Sequence, residues 1–163
     1  MNNKIRIDSN ASRLRLDDQL CFALYAATNT VTRAYRSLLE PLGLTYPQYL
    51  VMMSLWQHGS QKMSAIAECL RLDSHAITPL VDRLEQADLI RRRRDDSDRR
   101  VIQIELTPTG SALEAAASVA QRSVVCRTEL EPHALEELRE ALKALVQRME
   151  PESVHGRQED RNR

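Results

Sequence analysis

The segment 72–110, LDSHAITPLVDRLEQADLIRRRRDDSDRRVIQIELTPTG, constrains the fold more than any other stretch of the chain. Asp73 and Ser74 are N-cap residue types placed ahead of Ile77, Leu80, Val81 and Leu84, which recur at helical spacing. A helix with that stripe packs one face and leaves the other free. The free face carries Ser74, His75, Thr78, Asp82 and Arg83, small and polar side chains that suit close approach to base edges. Pro79 lies inside the helix, removes one intrahelical hydrogen bond and is expected to kink or loosen it. Its role is either that shaping of the packing or an apolar contact with a thymine methyl. After Leu89 and Ile90, residues 91–100 hold six Arg and three Asp. Ile102, Ile104 and Leu106 then alternate with Gln103 and Glu105, the pattern of a strand with one buried face. Helix, strand, charged turn and strand in this order predict a helix-turn-helix followed by a β-hairpin wing. Ser74, His75, Thr78, Pro79 and Arg83 are then the groove-facing candidates, and the arginines at 91–94, Arg92 and Arg94 among them, are candidates for phosphate contacts.

Composition sets limits on this reading. A length of 163 residues suits one domain, and 42% hydrophobic content supplies a core, which excludes global disorder. The formal net charge of zero argues against nucleic acid only if the charges are evenly spread. They are not: the hairpin is locally basic, whereas residues 129–152 hold seven Glu against Arg139, Lys143 and Arg148. A basic hairpin and an acidic helix fit a protein with one DNA-facing edge. No segment is apolar enough to span a bilayer, and residues 1–16 are polar and basic rather than a signal core, so a cytoplasmic location is expected. In that compartment Cys21, Cys69 and Cys126 do not make a structural disulfide framework, and their spacing matches no zinc site. No metal or cofactor is expected.

The rest of the chain frames this unit. Residues 1–16 read as a flexible arm. Asp17 or Asp18 is expected to cap a first helix reaching about Leu39, stopped by Pro41 and Gly43. Thr45 caps a second helix, with Pro47 in its first turn and Gly59 beyond its end. A short third helix occupies roughly residues 63–70 and completes the helix-turn-helix. Thr107 caps a long helix, with Pro108 in its first turn, running to about residue 127. A last helix carries Leu135, Leu138, Leu142, Leu145 and Met149 on one seam, and residues 150–163 are expected to be disordered. The fold class is mainly α with a small β-hairpin wing (α+β). A single domain spans 17–149, with the winged unit at 45–107 and long helices at 17–40 and 108–149. The apolar stripes of those long helices need a partner, and a two-fold homodimer is the simplest. It sets two recognition helices about 34 Å apart, the spacing of a palindromic duplex operator.

From about residue 16 to 149 the sequence resembles the MarR family of dimeric winged-helix repressors, and DDSDRRVIQIELTPTG is typical of the wing in that family. The block LDDQLCFALYAATNTVTRAYRSLLEPLGLTYPQYLVMMSLW resembles the organic-hydroperoxide-sensing OhrR branch, through its Leu-Cys-Phe-x-Leu-Tyr run and its Leu-Thr-Tyr-Pro-Gln-Tyr-Leu run. The resemblance implies a reactive cysteine at Cys21, hydrogen-bonded by Tyr35 and Tyr46 with Tyr25 nearby. In the wing it implies a minor-groove arginine at Arg100, positioned by Asp98. Cys126 sits where the two-cysteine type has its resolving residue, and Cys69 has no counterpart. The implied function is a non-enzymatic transcriptional repressor. An organic or lipid hydroperoxide oxidises Cys21, a disulfide to Cys126 forms between subunits, and the operator is released. The alternative is a repressor of the broader family released by a small phenolic or drug-like ligand.

The residues constrain how such a sensor is built. A sensing thiol needs access and thiolate character. The start of the first helix favours a thiolate at Cys21, and Asp17 and Asp18 oppose it. Tyrosine hydroxyls are good donors to a thiolate. Tyr25 follows Cys21 by four positions and shares its face. Tyr35 follows by fourteen, roughly 21 Å along a straight helix, and cannot reach Cys21 of its own chain unless the helix breaks. A site shared between subunits is therefore expected, with Tyr46 entering from the second helix. Phe22, Leu24, Met52 and Met53 are either plain core or a greasy pocket for a bulky hydroperoxide. The plainer roles are a small buried hydrophobe for Cys21 and an inert residue for Cys126.

Overall fold

The computed structural model describes residues 14–94 and 101–149, Ser74 by its backbone alone. A 3-10 turn, Leu16–Asp18, precedes α1 (Leu20–Leu39), whose N-cap is Gln19 and lacks a side-chain cap bond. Asp17 and Asp18 therefore do not cap α1; the extra turn, closed by the Gln19 N–H on the Leu16 carbonyl, carries them past the capping position. After α1 a second 3-10 turn, Glu40–Leu42, ends on Gly43 at φ 68°, left-handed backbone that glycine adopts at little cost. The chain then enters α2 (Tyr46–His58) through a capping box. The Thr45 side chain accepts from the Gln48 N–H, and the Gln48 Oε1 accepts from the Thr45 N–H at 2.8 Å. Thr45→Ala should lower stability by about 1 kcal/mol, read as a lower urea midpoint at unchanged slope.

The helix-turn-helix and wing follow. A two-residue strand β1 (Gln61–Lys62) leads into α3 (Met63–Cys69) and α4 (Ser74–Gln86). The turn between these helices holds Arg71 at φ 54°, and the Leu72 N–H reaches back to the Ala67 carbonyl at 2.9 Å, closing the end of α3. The wing is β2 (Ile90–Arg94) and β3 (Ile102–Leu106), antiparallel, with Ile90 opposite Leu106 and Arg94 opposite Ile102. β1 pairs with the other edge of β3, so the sheet order is β1-β3-β2. The hairpin is as expected; β1 was not, because two residues are too few to show alternation. Only Ile104 of the expected apolar face of β3 is buried, while Leu106 is half-buried and Ile102 exposed. The turn 95–100, with Asp98 and Arg100, lies outside the described residues, as do the 1–13 and 150–163 ends.

Beyond the sheet, Thr107 caps α5 (Pro108–Ala112), its side chain accepting from the Gly110 N–H. The single long helix expected here is divided at Leu113 into α5 and α6 (Glu114–Cys126). Leu113 keeps right-handed helical backbone and its carbonyl accepts from the Ala117 N–H at 2.9 Å, so the break is one residue long; Gly110 packs against the Leu89 backbone. The last helix is α7 (Pro132–Met149).

The chain falls into two units, one ending at Val124 and one beginning at Val125. The first contains the core. Leu39, Met52, Leu55, Ile66, Ile77, Leu84, Ile90 and Ile104 are buried at 0–1% exposure. Each such side chain contributes about 1.5–3 kcal/mol by leaving water. They come from α1, α2, α3, α4 and the sheet, so α4 is fixed on a packed base. In the second unit no residue of α7 is buried, and Leu138, Leu142, Val146 and Met149 on its apolar seam are exposed.

Candidate functional site

α4 buries Ile77, Val81 and Leu84 and leaves His75, Thr78, Pro79 and Arg83 on the exposed side, as the spacing requires. Ser74 opens the helix beside them. α4 runs from Ser74 to Gln86 with Pro79 inside it. The hydrogen bond that Pro79 cannot make falls on an exposed stretch of helix.

The wing arginines behave differently from a free basic run. Arg92 turns toward α4 and pairs with both Asp82 and Glu85, while its own N–H donates to Glu85 at 2.9 Å. Burial opposes its charge, and the hydrogen bonds it donates to these two carboxylates more than offset that, holding its pKa above the usual arginine value. Arg92 thus braces α4 against the wing in the DNA-free chain. Asp82, read from sequence as part of the DNA-facing surface, is the other end of the brace. Arg91 and Arg93 pair with Glu105, and Arg94 is exposed. Asp82, Glu85 and Glu105 are partners that no local pattern announced, although Glu105 shares the strand parity that sets it opposite Arg91.

The second cluster lies on α1 and α2. Cys21 is the second residue of α1 and is exposed, as is Tyr25 one turn later. α1 is continuous over Leu20–Leu39, so its own Tyr35 is carried roughly 21 Å from Cys21. Tyr35 is buried instead against α2. Its ring centroid lies 5.1 Å from that of Tyr46 and 5.4 Å from that of Tyr49. Burial, with Tyr49 and Tyr46 adding, pushes the Tyr35 phenol far above its ordinary pKa; burial also raises Tyr46 and Tyr49. All three therefore stay protonated, and the Tyr35 hydroxyl is hydrogen-bonded to that of Tyr49. Tyr49 was missed from sequence, where its position three after Tyr46 on α2 was the available signal.

A groove of about 860 Å³ runs along α1 to the start of α2. Tyr25, Asn29, Arg33, Arg36 and Tyr46 line it, but Cys21 does not. The greasy pocket does not assemble there: none of Phe22, Leu24, Met52 and Met53 lines the groove, and Met52 is a fully buried core residue. Cys126 ends α6, in the unit beginning at Val125, and Cys69 ends α3; both are exposed free thiols. Among the described residues no cluster could hold a metal ion, and no helix is long and apolar enough to cross a membrane.

Known proteins share this arrangement. The signature of the MarR family matches residues 44–102, from the entry to α2 through the start of β3. The organic hydroperoxide resistance transcriptional regulator of Bacillus subtilis (strain 168) is 35% identical over 141 residues, covering 86% of this chain and 96% of that protein. Reduced AbfR of Staphylococcus epidermidis bound to DNA superposes with a TM-score of 0.65 at 36% identity, covering 81% of this chain and 96% of that one. Disulfide-formed AbfR superposes with a TM-score of 0.60 at 36% identity, over 81% of this chain and 93% of that one. With a reading helix, a wing and near full-length similarity to such regulators, the chain belongs to the MarR family and is a DNA-binding winged-helix transcriptional regulator.

Proposed function

We propose that this regulator represses transcription as a reduced homodimer on a palindromic operator in the cytoplasm, and leaves it when an organic hydroperoxide oxidises Cys21. The observation that carries the reading is the packed Tyr35–Tyr46 ring pair at the far end of a continuous α1. No Cys21 of the same helix can use these phenols, so they are available to the Cys21 of a second copy. An antiparallel crossing of two α1 helices makes two such sites. The exposed seam of α7 supplies apolar surface for the same dimer. The groove ending at Tyr46 gives a hydroperoxide a path to the tyrosines.

The chemistry balances without an enzyme partner. The Cys21 sulfur attacks the terminal peroxide oxygen, the O–O bond breaks, and the alcohol leaves with the proton. Cys21 is then a sulfenic acid. The Cys126 thiol attacks that sulfur, an S–S bond forms and water departs. The bond requires Cα atoms within about 7 Å, a constraint that re-sets the long helices and through them the reading heads. The Bacillus relative is an organic hydroperoxide resistance regulator, and AbfR has structures reduced on DNA, overoxidised on DNA and with a disulfide formed, which supports cysteine oxidation in this kind of protein. On DNA, Ser74, His75, Thr78, Pro79 and Arg83 face the major groove, Arg94 meets phosphate, and Arg100 with Asp98 serves the minor groove.

A second reading, release by a phenolic or drug-like anion, is favoured by Arg33 and Arg36 in the groove. Tyr35→Phe and Tyr46→Phe separate the two. A hydrogen bond to a charged acceptor is worth about 1.5–3 kcal/mol. Each variant should therefore form the Cys21 sulfenic acid about 10- to 100-fold more slowly with cumene hydroperoxide, as timed by dimedone trapping. Native rates in both variants would remove the phenols from the mechanism.

A further inference from the structure

Four successive arginines, residues 91–94, open the wing, and the phosphates of any duplex are their natural target. Three of the four are already paired with carboxylates of the same domain. Arg92 braces α4, as described. Arg91 and Arg93, two residues apart, project from the opposite side of β2. Glu105 stands directly across from Arg91 in the β2–β3 register. Its Oε2 accepts from Arg91 at 3.1 Å (Nε) and 3.0 Å (Nη2), and its Oε1 accepts from Arg93 Nε at 2.5 Å. The carboxylate is nearly covered, at 13% exposure, while the Arg91 and Arg93 side chains keep 65% and 45%. One acid thus lies beneath two cations that remain open to solvent. The hydrogen bond from Arg93 holds Glu105 below the usual carboxylate range, with burial opposing and Arg91 adding to the effect, so it is ionised whenever the protein meets DNA.

We propose that Glu105 is a specificity-determining residue: it occupies Arg91 and Arg93 off the operator and so withholds wing charge from random duplex. An arginine already neutralised by a carboxylate gains little on moving to a phosphate, because one ion pair replaces another. The vacated Glu105 then also faces the negative backbone. On random sequence nothing compensates. On an operator, base contacts from α4 hold the wing against the backbone at high effective concentration, and the exchange proceeds. The device enlarges the ratio of specific to non-specific binding, the quantity that matters against a genome of competing sites.

The test is Glu105→Gln, measured by fluorescence anisotropy on a random-sequence 30-base-pair duplex between 50 and 200 mM salt. Glu114→Gln, at the start of α6, is the control of equal charge change. Removing the carboxylate that Arg91 and Arg93 share should raise affinity for random duplex about tenfold and steepen the log–log salt dependence by about one to two. Affinity for a duplex selected from a randomised library by the native protein should rise less, narrowing the specificity ratio. Glu105→Asp keeps the charge and the strand but withdraws the carboxylate, and should move the same way by about threefold, which covers the case of a Gln variant that folds poorly. Random-duplex affinity no higher than that of the Glu114→Gln control in either Glu105 variant overturns the proposal.

Discussion

Cys21→Ser protein stays on its DNA when cumene hydroperoxide is added, whereas the native protein leaves it with an affinity loss of about 10- to 100-fold, the usual range for coupling between two sites. Serine replaces an exposed sulfur by an oxygen of similar size, so the reduced fold and its DNA affinity should change little. What serine removes is the two-electron chemistry: a hydroxyl forms neither a sulfenic acid nor a mixed bond to Cys126. The measurement is a mobility shift on a selected duplex with and without peroxide. Release of the serine variant by peroxide would assign the response to another group, with the exposed Cys69 next in line. Release of both proteins by a phenolic anion without oxidant would favour the groove of Arg33 and Arg36 as the sensing site.

Gly110→Ala unfolds or badly weakens the reading head. A Cβ on Gly110 would lie 1.9 Å from the Leu89 carbonyl oxygen and 2.9 Å from its carbon, both backbone atoms that no rotamer change can move aside. The surroundings leave little room to yield. Trp56 Nε1 donates to the Gly110 carbonyl at 3.0 Å. The Gly110 N–H donates to Thr107 Oγ1 at 3.0 Å, and that hydroxyl donates onward to the Asp88 carbonyl at 2.6 Å. The Thr107 N–H meanwhile holds the same Leu89 oxygen at 3.1 Å. Overpacking of this kind costs about 3 kcal/mol, a fall in Tm of about 6–12 °C for a chain of this size. Because Leu89 opens the wing, the part of the protein that does fold should also bind DNA more weakly. A melting temperature equal to that of the native protein would contradict the close approach of α5 to the wing base.

Where a signal was local, the sequence disclosed the structure. Thr45 and Pro47 announced the start of α2 because a cap and a first-turn proline are neighbours in the chain. The stripe of Ile77, Val81 and Leu84 marked both the buried side of α4 and, by subtraction, its free side. Where the decisive neighbour was distant in the chain, sequence was silent or misleading. The arginines at 91–94 read as free charge because Asp82 and Glu85 reach Arg92 only once α4 packs beside β2. Met52 and Met53 were assigned to a possible pocket because periodicity cannot tell a wall from a core; Met52 is core. Asp17 and Asp18 missed the cap by an intervening 3-10 turn, a shift of one or two residues below what pattern resolves. The helix length that kept Cys21 from Tyr35 was, by contrast, simple geometry, and the continuous α1 upholds it.

The most direct test treats reduced full-length protein with cumene hydroperoxide and follows it by non-reducing electrophoresis, intact mass and peptide mapping. A species of twice the chain mass should form, containing one tryptic pair that joins the Cys21 peptide to the Cys126 peptide, and reductant should return it to monomer chains that bind DNA again. Cys21 recovered unmodified from protein that has nonetheless left its DNA would contradict the account.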